Sequence, residues 1–157
     1  MINPKQFEKY VIALALQLLG MDSPSARALL LGTAAQESGL GTWLRQVGGG
    51  PAMGVFQMEP ATFHDILDNF VKYHPEIQAV IAKQWPGGVN PELMITDLIF
   101  AAVMCRLHYR RVKESIPEAG DIQALARYWK AHYNTPAGAG TEAEFVHNWQ
   151  QRVAGGK

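Results

Sequence analysis

Leu98-Ile99-Phe100-Ala101-Ala102-Val103-Met104 is the stretch that decides the fold class. Asn90-Pro91 ahead of it reads as a cap and first-turn pair, and the helix it opens runs to about Glu114. From 98 to 104 no face of that helix is polar. A helix apolar nearly all round needs cover on every side, so it belongs at the centre of a domain. The segments on either side carry helical periodicity, and no alternating strand pattern of useful length interrupts them. The expectation is one all-α domain, residues 1–157, with this helix as its axis.

The flanking helices announce their own starts. Asn3-Pro4 opens one that places Phe7, Val11, Leu14 and Leu18 at helical spacing, and Gly20 ends it. Ser23-Pro24 opens a second, carrying Ala26, Leu29, Leu30, Thr33 and Ala34 and finishing with Glu37. Pro60 to Tyr73 reads as a third, with Phe63, Ile66, Leu67 and Phe70 on one face, and Pro75 starts a fourth that stops near Trp85-Pro86-Gly87-Gly88. Downstream, Asp121 caps a helix containing Ile122, Leu125, Ala126 and Trp129. Thr141 with Glu144 makes a capping-box pattern for a last helix with Phe145 and Trp149, and Ala154-Gly155-Gly156-Lys157 reads as a frayed tail. Residues 39–58, rich in glycine, and 133–140 remain as loops. Long irregular loops in compact domains often carry function.

Composition narrows the classes. Apolar residues make up 48% of the 157-residue chain, enough for one packed core. Lys+Arg and Asp+Glu balance at 14 each, which argues against a broadly basic nucleic-acid binder. The basic cluster Arg106, Arg110, Arg111 and Lys113 reads as the solvated face of the long helix. Cys105 is alone, so no internal disulfide is expected, and its apolar setting reads as a buried structural thiol. Val11 to Leu19 is far too short to span a bilayer. The N-terminus lacks a full signal-peptide pattern. The histidines make no metal signature, since Glu144 and His147 supply only a single Glu-x-x-His. No metal and no cofactor are expected.

Glu37 is the residue with the most chemical promise. It lies in Ala34-Ala35-Gln36-Glu37-Ser38-Gly39-Leu40-Gly41, where an apolar helix gives way to a glycine-rich loop. A carboxyl half-desolvated at such a boundary keeps its proton to higher pH and can serve as a general acid. Gly54-Val55-Phe56-Gln57-Met58-Glu59-Pro60-Ala61-Thr62 and Ala131-His132-Tyr133-Asn134 follow in order. Of the four tryptophans, Trp43 in the loop is the candidate for stacking on a sugar, whereas Trp129 and Trp149 fit helix faces and read as core.

Those segments together resemble the lytic transglycosylases of the soluble, goose-lysozyme-like type, over about residues 23–148. That family carries an early Glu-Ser, then a Gly-Leu-Met-Gln-Ile-Met-Pro type segment, then an Ala-Tyr-Asn type segment. The resemblance implies a lysozyme-like helical domain with an active-site cleft and Glu37 as its catalytic acid. It further implies substrate contacts at Ser38, at Met53 on the cleft edge, at Gly54, where the backbone turns close to the sugar, and at Gln57, Tyr133 and Asn134. The Tyr133 hydroxyl would hold the catalytic carboxyl, with Tyr128 competing for that role. The turn Pro136-Ala137-Gly138 favours Tyr133. The chain departs from the pattern at Gly39, at Phe56 where methionine is usual, at Glu59 where an apolar residue is common, and at His132 in place of a small residue.

The implied chemistry is cleavage of bacterial peptidoglycan between N-acetylmuramic acid and N-acetylglucosamine, with 1,6-anhydromuramyl ends. Hydrolysis on the same fold, with Glu59 as a second carboxylate, is the alternative. Glu59 next to Pro60 is also a favourable charge at a helix start. A more distant alternative is an inert wall-binding or structural module. The partners expected are glycan strands, without nucleic acid or membrane insertion. The small size and missing signal suggest a phage protein acting in the periplasm or cell wall, delivered by a virion, alongside its tail proteins, or through a pore.

Overall fold

The computed structural model describes residues 1–135 and 137–156, and within them the chain is all-helical, a single domain without strands. Helix α1 covers residues 4–18, α-helical at Pro4–Phe7 and Ala13–Leu18 with a π-helical stretch at Glu8–Ile12 between them. Next come α2, Pro24–Ser38; α3, Pro60–Asn69; α4, Pro75–Gln84; α5, Leu93–Thr96; and α6, Leu98–Arg110. Helix α7 covers 122–134, turning π-helical from Lys130 to Asn134, and α8 covers 142–154, π-helical from Trp149 to Ala154. None of the helices is long and apolar enough to cross a membrane among the described residues.

The starts follow from side-chain chemistry. Asn3 Oδ1 accepts the N–H groups of Lys5 and Gln6, and Ser23 Oγ accepts that of Ala26, each with proline in the first turn. Asp121 does the same for Ala124. The Thr141 capping box is complete, with Thr141 N–H donating to Glu144 Oε2 at 2.8 Å and Glu144 N–H to Thr141 Oγ1 at 3.1 Å. Gly39, at φ +59°, ends α2 in the left-handed conformation that glycine tolerates.

Helix α6 is the axis. Phe100 to Cys105, Leu107 and Tyr109 are buried, packed among α1, α2, α3, α5 and α7. Tyr109 donates to Thr33 Oγ1 at 2.8 Å, and Thr33 passes its own proton to the Leu29 carbonyl, so the buried hydroxyls are satisfied in series. Cys105 is fully buried as a free thiol. Gly32, in the middle of α2, lets the Phe145 ring of α8 sit on the helix backbone: a Cβ there would meet Phe145 Cζ at 2.4 Å.

Several expected boundaries differ. The helix expected to open at Asn90-Pro91 begins only at Leu93, with Glu92 in the cap position, and is broken at Asp97, which is extended at φ −129° and ψ 104° and recaps the chain through Phe100 N–H at 2.9 Å. Its other carboxylate oxygen accepts the Trp85 indole N–H at 2.8 Å. Asp97 therefore satisfies the α6 terminus and a tryptophan at once. At its far end α6 stops at Arg110, short of Glu114. Helix α3 ends at Asn69 rather than continuing to Tyr73, with Val71–Tyr73 a separate 3₁₀ turn. The chain end is held rather than frayed through Gly156: Gly155 N–H donates to the Gln150 carbonyl, and Gly156 packs against Pro4. Lys157 lies outside the described residues. Of the basic cluster, Arg110 and Lys113 are exposed, whereas Arg106 is partly buried and Arg111, also partly buried, reaches across to Asp65 on α3 at 2.5 Å.

The double use of Asp97 is testable by urea unfolding. Asp97→Ala should lose a helix cap and orphan the Trp85 N–H, costing roughly 2–3 kcal/mol. Asp97→Asn, which keeps one acceptor oxygen, should fall between that variant and the wild type.

Candidate functional site

Glu37 occupies the last turn of α2, where the helix meets the loop of residues 39–58. It is one wall of a groove of about 720 Å³. The loop contributes Trp43, Gln46, Val47, Ala52, Gln57 and Met58, α3 and its N-cap contribute Thr62 and Glu59, and α6 contributes His108. The opposite side is His132, Tyr133, Asn134 and Thr135 at the end of α7, continued by Ala139 and Gly140. The loop on the first side is anchored and not slack. Gln46 N–H donates to the Ala52 carbonyl, Ala52 N–H to Gln46 Oε1, Gly54 N–H to the Leu44 carbonyl, and Arg45 pairs with Glu92 at 2.8 Å.

Glu37 is half-buried, and its carboxyl accepts one hydrogen bond, from Trp129 Nε1 at 2.8 Å. Desolvation outweighs that bond and pushes the pKa up to about 7; the indole N–H, which favours the ionised form, pulls the other way. Although some of the residue still faces the groove, the carboxyl is largely ringed by protein, which is why burial dominates. The site thus holds an acid poised to give or take a proton near neutrality.

Trp129 is fully buried, as its helix face implied, but its indole edge has a second duty. A buried indole N–H needs an acceptor, and Glu37 is that acceptor. The Trp129 ring packs 5.5 Å from Phe145, and Gly140 closes over it, since a Cβ at Gly140 would meet Trp129 Cη2 at 2.7 Å. The only sequence signal for this pairing was a large indole one helical turn before Tyr133.

Other expected site residues are placed differently from the reading of their motifs. Ser38 is fully buried: its hydroxyl donates to the Val55 carbonyl at 2.6 Å and accepts Gly41 N–H at 2.8 Å, so it ties the end of α2 to the loop and does not reach the groove. Met53 is 7% exposed and packs in the core rather than on the groove edge. Gly54 is needed for a different close approach, because at φ +78° a Cβ would lie 2.1 Å from the Met94 carbonyl oxygen. Gln57 does line the groove, at φ +46°, with its amide donating to the Gly54 carbonyl at 2.9 Å. Tyr133 lines the groove too, but its hydroxyl donates to the Phe56 carbonyl at 2.7 Å and not to Glu37. Tyr128 donates to the Glu114 carbonyl at 2.9 Å, so neither tyrosine supports the acid by hydrogen bonding. Asn134 lines the groove with its Oδ1 taken by Lys130 Nζ at 2.8 Å; Lys130 also holds the Gly138 carbonyl. Pro136, the first residue of the turn that favoured Tyr133, lies outside the described residues. Trp43 is 48% exposed on the groove rim. Glu59 is exposed and faces the same groove while standing at the α3 N-cap position, where its side chain makes no capping bond.

His108 was not legible in the sequence as a groove residue. Arg111 can only donate, so His108 Nδ1, 2.7 Å from it, must accept, and Nε2–H donates to the His132 carbonyl at 3.1 Å. Burial, reinforced by the Arg111 charge, lowers its pKa to about 4, so it stays neutral in use. Arg111 is in turn held by Asp65, whose other oxygen accepts from Asn69 at 2.7 Å. A further depression of about 520 Å³ between the start of α7 and α8 holds Glu118 and Asp121, but both are exposed, and Asp121 is engaged as a helix cap. No group of three or more His, Cys, Asp or Glu side chains able to hold a metal occurs among the described residues. Comparison of the chain with protein-family models, with curated proteins and with solved structures finds no match in any of the three.

These shifts set the pH dependence of stability. Glu37 has a raised folded-state pKa, so its contribution is complete below about 4.5 and is lost as pH climbs to about 7. His108 has a lowered one, so its contribution is complete above about 6.5 and is lost as pH falls to about 4. Urea midpoints measured from pH 4 to 8 should show Glu37→Gln without the alkaline-side loss and His108→Gln without the acid-side loss, each worth up to about 3 kcal/mol. Trp129→Phe removes a bond that favours the carboxylate, so the alkaline-side loss should extend to higher pH than in the wild type, along with an overall loss of stability.

Proposed function

We propose that this protein cleaves the glycosidic bond between N-acetylmuramic acid and N-acetylglucosamine in bacterial peptidoglycan, as a lytic transglycosylase on a lysozyme-like helical fold. The observation that carries the reading is the Glu37 carboxyl, desolvated to a pKa of about 7 and open to a groove with an exposed indole on its rim. The order of the Glu37, Gln57 and Tyr133 segments along the chain supports the same reading.

Protonated Glu37 donates to the bridging oxygen as the bond to the anomeric carbon breaks and positive charge builds on the ring. The resulting carboxylate then takes the proton of the muramyl 6-hydroxyl, whose oxygen closes on the anomeric carbon. The 1,6-anhydro product leaves with Glu37 reprotonated, so one acid/base completes the cycle and the sugar supplies its own nucleophile. The desolvated site suits both halves, since a pKa near neutrality makes donation and recovery of the proton comparably easy.

Glu59 favours a second reading. It faces the same groove as Glu37 and is free of any capping bond, so it is available to activate water and turn the reaction to hydrolysis. Under either chemistry the protein would act on the bacterial wall, in the manner of a phage-borne or lysis enzyme.

The test is digestion of purified cell walls. Wild type should release soluble muropeptides with anhydromuramyl masses, and Glu37→Gln should release them at least ~10²-fold more slowly. Exclusively reducing muramic ends would select the hydrolase. Equal release by both proteins would remove Glu37 from the mechanism, and release by neither would leave a non-catalytic wall-binding module.

A further inference from the structure

Trp129 gives the two oxygens of the Glu37 carboxyl unlike surroundings. Oε1 accepts the indole N–H at 2.8 Å, while Oε2 has no hydrogen bond or ion pair among the described residues. The indole can only donate. It is fully buried, its ring centre lies 5.5 Å from that of Phe145, and a Cβ at Gly140 would meet it at 2.7 Å. The N–H is therefore held where it points, against one oxygen of the acid.

A protonated carboxyl offers two unequal acceptors. Its carbonyl oxygen accepts a hydrogen bond well, whereas its hydroxyl oxygen serves mainly as a donor. A proton on Oε1 would leave a buried N–H poorly satisfied, which is costly. A proton on Oε2 leaves the bond intact. Half a turn of the carboxyl is no escape, since it would bring the hydroxyl oxygen round to the indole. The neighbouring groups do not compete for the proton. Cys105 and Tyr109 on α6 and Tyr133 on α7 lie near enough to feel the Glu37 charge, but burial keeps all three protonated. His108 is engaged at both ring nitrogens, by Arg111 and the His132 carbonyl. His132 has its Nε2 3.9 Å from Glu114 Oε2, and Glu59 stands exposed at the α3 N-cap. The Lys130 ammonium donates to Asn134 Oδ1 and the Gly138 carbonyl, both uncharged.

Resting on the glycan-cleavage reading above, we infer that Trp129 is a positioning residue that assigns the Glu37 proton to Oε2, the oxygen left to the groove. One oxygen is then acid and base in turn. Oε2 gives its proton to the bridging oxygen as the bond from that oxygen to the anomeric carbon breaks. The oxygen of the muramyl 6-hydroxyl then bonds to the anomeric carbon, and its proton returns to Oε2. Oε1 stays on the indole throughout, so the departing oxygen and the arriving hydroxyl present to the same point of the groove in succession. Trp129, being buried, acts only through the carboxyl.

The test removes the donor and keeps the shape. Benzothienylalanine in place of Trp129 puts sulfur where the indole has its N–H. The first readout needs no substrate. In infrared difference spectra taken across the Glu37 titration, the carbonyl stretch of the protonated acid is identified by its absence in Glu37→Gln. It should move to higher wavenumber when the sulfur analogue replaces the indole. The second readout is kinetic: kcat on purified cell walls should fall about ten-fold or more with KM little changed. The alkaline limb of the kcat profile should shift to higher pH, because the lost N–H favoured the carboxylate. A carbonyl stretch at the same place in both proteins would overturn the proposal, because the N–H would not then be on the carbonyl oxygen. An unchanged kcat in the analogue would overturn it too, since the choice of oxygen would do nothing for the reaction. Walls left intact by the wild type while the stretch still moves would sink the glycan-cleavage reading and not the placement of the proton.

Discussion

The Trp129 indole and the Glu37 carboxyl need each other. A buried N–H has to be satisfied, and a half-buried carboxyl has few other donors within reach, so one 2.8 Å hydrogen bond joins the end of α2 to α7 across 92 positions of sequence. Everything that holds Trp129 then holds the acid as well. Phe145 stacks beside the indole, Gly32 lets Phe145 approach, and Gly140 lets the far wall of the groove fold down over it. Core packing and the position of the candidate acid are thus one problem with one solution. A polar group placed at the edge of a close-packed core can be fixed to within a fraction of an ångström by apolar contacts behind it.

Around that centre the groove is framed by side-chain groups whose hydrogen bonds are made to the loop backbone. Ser38 joins α2 to Val55, Tyr133 joins α7 to Phe56, and the Gln57 amide folds back on Gly54. These three bonds converge on residues 54–57, a segment without regular structure whose backbone would otherwise lose its partners. The loop is held by side chains from two helices, and the groove exists because the loop is held. Electrostatics reinforce the frame: the chain from Asp65 through Arg111 to His108 fixes a neutral imidazole in the groove wall.

What the sequence made legible was largely local. The caps at Asn3, Ser23, Asp121 and Thr141 involve partners two or three residues away, and all of them form as the pattern implies. The central run from Leu98 to Met104 announced burial because it offers no polar face. Asp97 was passed over because its reason for breaking a helix is the Trp85 indole twelve residues before it, together with the new cap it provides. The motif residues taught a similar lesson. Ser38, Met53 and Gly54 sit where the motif leads one to look, but burial and the close passage of the Met94 carbonyl account for them as framework. Tyr133 was matched to the acid by order along the chain, while the hydrogen bond goes to Trp129, whose long-range partner no local pattern discloses.

The fold withdraws the Glu37 carboxyl from water far enough to keep its proton near neutral pH. A titration of the Glu37 side-chain carboxyl by ¹³C NMR in the unliganded wild-type protein reads this directly. A midpoint at about 7 is the predicted result. A midpoint near the ordinary glutamate value of about 4.5 would contradict it, because the carboxyl would then be solvated and no more an acid than any glutamate on the surface.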